Sequence, residues 1–260
     1  MSASSNGHST YDRLLAIAHR KGAGFIVLID PDKLTEDDLP DFAERCERAD
    51  VDGLFIGGSL MHAVELDRYV HTLKSVTSLP VVGFPGTLSQ ISGALDAVLY
   101  LSVVSGRNPE HLIGQHVHAA PMIRRLGLEP IPTAYMLVES GRMTTAQYMS
   151  GSAPLPRNKP DIAAATALAA EMMGMRMLFT DGGSGAEHPV PEEMIAAITH
   201  VCSIPLIVGG GLKTPQDVAR KVAAGARFVV VGNAIEHNGD AGYIADLAAA
   251  AHAAVAQPLG

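Results

Sequence analysis

The chain has 260 residues and a formal net charge of −8, from 19 Lys and Arg against 27 Asp and Glu. That acidic balance, with no cluster of Lys and Arg, excludes a nucleic-acid-binding surface, which needs concentrated positive charge to track phosphates. Hydrophobic residues make up 47% of the chain, enough to bury a sizeable core, yet no run reaches the roughly 20 apolar residues of a membrane span.

Residues 1–9 are small and polar and are not followed by an apolar run, so they read as a disordered leader rather than a signal peptide. The remaining 10–260 has the length of one large α/β barrel. A helix is expected from Thr10, then a strand over 25–29. Thr35 and Asp38 resemble a capping box at the start of the next helix. A strand over 53–56, a helix from Ser59 and a strand over 81–84 follow. The stretch 85–96 is rich in Gly and Ser and too short for a covering helix, so an abbreviated crossover is expected there. Cys46 falls in a helical pattern and Cys202 beside a strand, without metal-ligand spacing, and both read as buried thiols. Nothing points to an oxidising compartment, and the protein is expected in the cytoplasm.

A fourth strand is predicted over 97–103. Asn108 and Pro109 open a helix as cap and first-turn proline, and His111, His116 and His118 fall on it without forming a metal cluster. The fifth strand, over 129–138, leads into a long stretch, 139–160, with Pro154, Pro156 and Pro160 and little helical period. Stretches of this kind are lids, binding loops or plain surface loops. Helices from Lys159, Pro191, Thr214 and Asp240 then alternate with strands over 177–180, 206–208 and 228–231. The eight strands are apolar without strict alternation, the pattern of strands covered on both faces. Interleaved with helices, they predict a parallel sheet closed into a (β/α)8 barrel of the TIM type, with its site at the carboxyl ends of the strands.

Four strand ends carry candidate chemistry. Gly209, Gly210 and Gly211 after the seventh strand, and Gly232 with Asn233 after the eighth, let backbone N–H groups approach an anion at the corner where such barrels bind phosphate. Asp181 after the sixth is followed by the small residues Gly182, Gly183, Ser184, Gly185 and Ala186, suited to a backbone anion nest. Its carboxylate either accepts a proton, orients a hydroxyl or caps the turn. Asp30 ends the first strand and Ser59 follows the second. A carboxylate and a hydroxyl on neighbouring strands suit Mg²⁺, which takes few protein ligands and fills its shell with phosphate oxygens and water.

The motifs IDPDK at 29–33, FIGGS at 55–59, DGGSGA at 181–186, VGGG at 208–211 and VGNA at 231–234 together resemble the geranylgeranylglyceryl phosphate synthase family. The stretches IPTAYMLVESGR at 131–142 and NKPDIAAATALAAEMMG at 158–174 are similar to its second group. The resemblance implies a Mg²⁺-dependent prenyltransferase that joins sn-glycerol 1-phosphate to a polyprenyl diphosphate, such as geranylgeranyl diphosphate, through an ether bond. It assigns Mg²⁺ to Asp30 and Ser59. Glycerol phosphate falls to Phe179, Thr180, Asp181, Gly182, Gly183, Ser184, Gly185, Ala186, Gly209, Gly210, Gly232 and Asn233, with Asp181 as base. It also implies a homo-oligomer, dimer or hexamer, with at most peripheral membrane contact. The family commonly has Tyr-Leu-Glu where this chain has Phe179, Thr180 and Asp181, which removes one hydroxyl and draws the carboxylate back.

An apolar trough for the tail is expected at the thin wall, from Leu88, Ile91, Leu95 and Tyr135, which could equally be ordinary core. Lys33 and Arg142 are candidate diphosphate contacts or solvated surface charges. Two rival readings remain at this point: another phosphate-binding isomerase or lyase barrel, and a barrel that binds phosphate without catalysis. The absence of a strand-end lysine beyond Lys33 speaks against a Schiff-base lyase.

Overall fold

In the computed structural model, which describes residues 9–62, 65–237 and 239–254, the predicted strands pair in chain order and close on themselves. They are β1 (Gly24–Ile29), β2 (Gly53–Ile56), β3 (Val81–Gly83), β4 (Ala97–Val103), β5 (Glu129–Leu137), β6 (Met177–Asp181), β7 (Leu206–Gly209) and β8 (Phe228–Val231). All pairings are parallel, and β8 returns to β1 with Val231 opposite Val27. Because side chains alternate across a strand, each strand feeds two cores. Ile26, Phe55, Leu99, Ile131, Phe179, Ile207 and Phe228 fill the barrel. Phe25, Val27, Leu54, Val98, Leu178, Val208 and Val229 face the helices.

The helices are α1 (Thr10–Lys21), α2 (Leu39–Arg48), α3 (Leu66–Val76), α4 (Gln115–Leu126), α5 (Thr145–Ser150), α6 (Pro160–Met172), α7 (Glu192–Val201), α8 (Pro215–Ala223), α9 (Asn233–His237) and α10 (Ala241–Ala253). Helix α1 plugs the amino end of the barrel. Its Tyr11, Leu14 and Ala18 join the interior core, and Thr10 N–H donates to Glu129 at the start of β5 (2.7 Å). Residues 1–8 of the expected leader lie outside the described residues, while Ser9 caps α1 by accepting from Asp12 N–H. No helix among the described residues is long and apolar enough to cross a membrane.

The crossover between β3 and β4 is abbreviated as expected: a single 3₁₀ turn, Leu88–Gln90, replaces the helix. Three local expectations need correction. No helix starts at Ser59; α3 begins at Leu66. Among the described residues before it, Gln90 bridges the Gly58 N–H and C=O, and Asp32 accepts from His62 N–H. Thr35 and Asp38 do not form a capping box. The Thr35 hydroxyl bonds the Asp38 carboxylate directly (2.5 Å) above a 3₁₀ turn, Glu36–Asp38. The helix expected from Asn108 begins as a π-helical turn, Glu110–Gly114, before α4. Thr214, where a helix was expected to start, forms a full capping box with Asp217. The short α5 and α9 were not expected. Both cysteines are buried, and desolvation pushes each thiol up to about 12, as inert core thiols require.

The base of the barrel is clipped by Asp52. It accepts from Lys21 (2.7 Å), His252 Nε2 (2.8 Å) and Phe25 N–H (2.8 Å), joining α1, α10 and β1. Burial pushes this carboxyl up, but its three donors outweigh burial and hold it below its ordinary value. The stabilisation is therefore present above the unfolded carboxyl value and is lost as pH falls through the folded one. Asp52→Asn is expected to cost on the order of 2–3 kcal/mol near neutral pH. Its loss of stability relative to wild type should shrink on acidification, as read by thermal melts across pH.

Candidate active site

At the carboxyl end of the barrel, alternation carries Asp30, Tyr135, Phe179, Asp181 and Gly209 into the mouth, where they line a cavity of about 790 Å³. Every predicted site residue borders it except Thr180 and Gly182. Thr180 is fully buried, and its hydroxyl bonds Ile207 C=O on the neighbouring strand (3.4 Å). Gly182 contributes backbone, its N–H donating to Gly209 C=O. Thr180 is thus a correction to the expected site: its parity on β6 points it away from the mouth.

The anion corner is built from backbone. Gly183, Gly185, Gly210 and Gly211 all have positive φ. At Gly210 the need is strict: φ is +80°, and a Cβ would stand 2.5 Å from Asp181 Oδ1 and 2.8 Å from both Gly182 N and Gly183 N. Gly209 is constrained differently, because the Phe179 ring occupies the space its Cβ would take. Asn233 exchanges hydrogen bonds with Ser184 (3.0 Å from Nδ2), tying the β8 end to the β6 loop. Arg142 donates twice to Gly185 C=O. It therefore braces this loop while bordering the cavity.

Asp181 lies at the floor, 7% exposed. Its Oδ1 accepts from Gly183 N–H (2.7 Å) and its Oδ2 from the Tyr135 hydroxyl. Burial pushes the Asp181 carboxyl above its ordinary value, against the pull of those two hydrogen bonds. Burial and the adjacent Asp181 charge push the Tyr135 phenol well above its own. A buried carboxylate of raised basicity at a strand end is equipped to accept a proton.

On the opposite rim, the Gly58 backbone runs past Asp30: a Cβ on Gly58 would lie 3.8 Å from the Asp30 carboxyl carbon. Ser59 follows Gly58, and both Ser59 and Asp30 border the cavity. Two hard oxygen donors there are of the kind Mg²⁺ takes; among the described residues, no group of three or more His, Cys, Asp or Glu could hold a metal ion. Lys33 reaches Asp30 (3.3 Å), Glu236 (2.8 Å) and Asn233 Oδ1 (3.2 Å), so it spans the Asp30 rim and the anion corner.

The thin wall between β3 and β4 opens a second, mostly apolar cavity of about 260 Å³. Leu88, Ile91 and Tyr135 line it as expected, while Leu95 packs beneath Gly83 in the core. His111 and His116 also border it, and His118 is exposed on α4. The long stretch after β5 forms its roof. Leu155 pairs with Val138, α5 sits between them, and Ala146, Met149 and Ser150 line the trough. The two cavities share Gly58, Ser59, Phe84, Tyr135 and Ala146. Phe84, stacked on Phe179 at 5.1 Å, was not anticipated; nor was the Tyr135 hydroxyl, although the alternation of Ile131, Thr133 and Tyr135 already turned it inward.

Fold and site define a (β/α)8 barrel whose glycine-rich corner adjoins an apolar trough. Residues 16–250 match the PcrB family. The geranylgeranylglyceryl phosphate synthase of Chitinophaga pinensis is 48% identical over 90% of this chain and 94% of its own. That of Thermococcus gammatolerans is 42% identical over 82% and 84%. The solved (S)-3-O-geranylgeranylglyceryl phosphate synthase of Thermoplasma acidophilum, in complex with its substrate sn-glycerol-1-phosphate, superposes with a TM-score of 0.88 at 28% identity, covering 95% and 99% of the two chains. The chain belongs to the PcrB family, that of the geranylgeranylglyceryl phosphate synthases, and is a prenyltransferase; the rival isomerase and lyase readings fall with that assignment. Gly210→Ala is expected to weaken binding of sn-glycerol 1-phosphate at least about tenfold, measured by calorimetry, because the added methyl displaces the Asp181 carboxylate and the Gly182–Gly183 backbone together.

Proposed function

We propose that the protein joins sn-glycerol 1-phosphate to a polyprenyl diphosphate, with geranylgeranyl diphosphate as the first candidate, forming an ether and releasing diphosphate. The observation that carries this reading is the shared wall. An anion corner and an apolar trough meet at Ser59, Phe84 and Tyr135, beside the buried carboxylate of Asp181. A hydroxyl anchored by its phosphate and an allylic carbon anchored by its tail would meet there, so positioning supplies much of the rate.

In the reaction, the C1–O bond of the allylic diphosphate breaks and its electron pair leaves with diphosphate. The glycerol hydroxyl oxygen bonds C1, and its proton passes to an Asp181 oxygen. The glycerol phosphate is held by backbone at 183–186, 209–210 and 232–233. Positive charge developing at C1 would face the rings of Phe84, Tyr135 and Phe179, whose π-systems attract cations. Asp30 and Ser59 would hold Mg²⁺, which when bound supplies charge neutralisation for the diphosphate. Water is kept from C1 by α5 and the residues around it, which roof the trough.

Exposed Ile113 and Val117 on the outer side of the trough, 60% and 63% accessible, support a homo-oligomeric contact, readable by sedimentation. Exposed Met143, Tyr148 and Met149 on the roof support a peripheral approach to the bilayer, where the substrate's tail and the product partition.

Incubation with Mg²⁺, sn-glycerol 1-phosphate and geranylgeranyl diphosphate is expected to give the ether product by mass spectrometry, abolished by EDTA. Glycerol phosphate binding without product for any tail length would instead mark a barrel that binds without catalysing. Asp181→Asn should lower kcat at least about 100-fold while leaving glycerol phosphate affinity within about threefold; equal losses in both would remove Asp181 as base. Ala119→Phe, which fills the trough, should raise KM for the prenyl diphosphate and leave glycerol phosphate affinity unchanged, as steady-state kinetics with varied tails would show.

A further inference from the structure

Among the described residues, the Tyr135 hydroxyl donates to one partner, the carboxylate on which the proposed chemistry turns. Tyr135 pairs with Phe179 across the β5–β6 ladder, so its hydroxyl reaches diagonally along the next strand to Asp181, two residues further. Its ring is pinned edge-on by Phe84 (5.8 Å) and Phe179 (5.5 Å). The residue is 6% exposed and borders both cavities. A packing role would be met by phenylalanine. The hydroxyl adds a donor that fixes Oδ2 while Gly183 N–H fixes Oδ1, so the carboxylate is oriented at both oxygens.

We propose that Tyr135 is a positioning residue for the transfer reaction, its hydroxyl orienting the Asp181 carboxylate and setting the pH at which that carboxylate becomes a competent base. This rests on the reading of Asp181 as base. Tyr135, from β5, is the titratable group in direct contact with it. The cavity also holds Asp30 and Lys33 from the β1 end, Arg142 from the roof, Glu187 from the β6 loop, Lys213 after β7 and Glu236 after β8. Donation from the phenol favours the charged carboxylate and opposes desolvation. Without it, Asp181 stays protonated to higher pH, and the fraction able to take a proton at a given pH falls.

The test compares wild type with Tyr135→Phe in two measurements. In steady-state kinetics, the acid limb of the kcat profile is expected to move to higher pH, so that kcat falls at least about tenfold near pH 6 and recovers most of the loss near pH 9. The glycerol phosphate affinity should stay within about threefold of wild type. In carbon-13 NMR of protein labelled at aspartate carboxyls, with Asp181→Asn for assignment, the Asp181 titration should move up in the same direction. That measurement needs no turnover. Phe84→Leu, which disturbs the same rings without removing a hydroxyl, should leave both titrations in place. An unmoved Asp181 titration in Tyr135→Phe, or an equal move in Phe84→Leu, would overturn the proposal. A moved titration in a protein that makes no ether product would support the hydroxyl's hold on Asp181 and count against the transfer reading instead.

Discussion

In the closed ladder, Tyr135 stands opposite Phe179, Leu137 opposite Asp181, and Asp181 opposite Gly209. Closure leaves no strand free to slip, because a one-residue shift would send every inward side chain to the helical coat. The reactive geometry is inherited from that register. Asp181 faces the mouth because Phe179 fills the barrel two residues earlier, and Gly209 must lack a side chain because the Phe179 ring lies beneath it. Thr180, between two mouth residues, is carried outward and can serve only the coat. The chemistry at the rim is therefore as firmly fixed as the core below it.

The barrel departs from a full helical coat at one place, and that place is the trough. With only Leu88–Gln90 between β3 and β4, part of the wall around Val98 and Tyr100 is left to a cavity rather than a helix. A barrel gains nothing in stability from an apolar cleft of this kind, since apolar surface not removed from water contributes no burial free energy. The roof after β5 limits the exposure, and the two histidines that intrude are kept neutral in character, both pushed below their ordinary values chiefly by burial. An uncharged, roofed cleft opening onto an anion corner is suited to a ligand with an apolar chain and a polar head.

Sequence patterning is informative where one period or one residue type decides the outcome. Apolar runs of β-branched residues between amphipathic segments defined all eight strands, and the shortness of 85–96 foretold the missing helix. The glycines at 209–211 and the Asp181 motif marked the corner, because backbone that must approach an anion admits few other residues. What escaped were features decided by partners far away in the chain. Gly58 and His62 after β2 are bonded by Gln90 and Asp32, and no local signal in the sequence there reports either. Phe84 and the Tyr135 hydroxyl gain their roles only once β3, β5 and β6 are adjacent. Arg142, open to two readings as a bare charge, is committed to a carbonyl 43 residues away.

Under the proposed reading, the balance of charge in the mouth would leave anions to be bound by backbone and a cation rather than by basic side chains. The cavity is lined by the carboxylates of Asp30, Asp181, Glu187 and Glu236 and by only Lys33, Arg142 and Lys213. Lys33 is held by Glu236 and Asp30, and Arg142 by Gly185 C=O. Side chains alone would leave the mouth unfavourable to a phosphate and a diphosphate together. Fixed N–H dipoles at the glycine corner would answer the first without adding a mobile charge. A divalent cation at Asp30 and Ser59 would answer the second, and it would draw Asp30 away from Lys33. That would free part of the ammonium's charge on the side facing Asn233 and the anion corner. Lys33 would then lie between the two ligand sites, within reach of both.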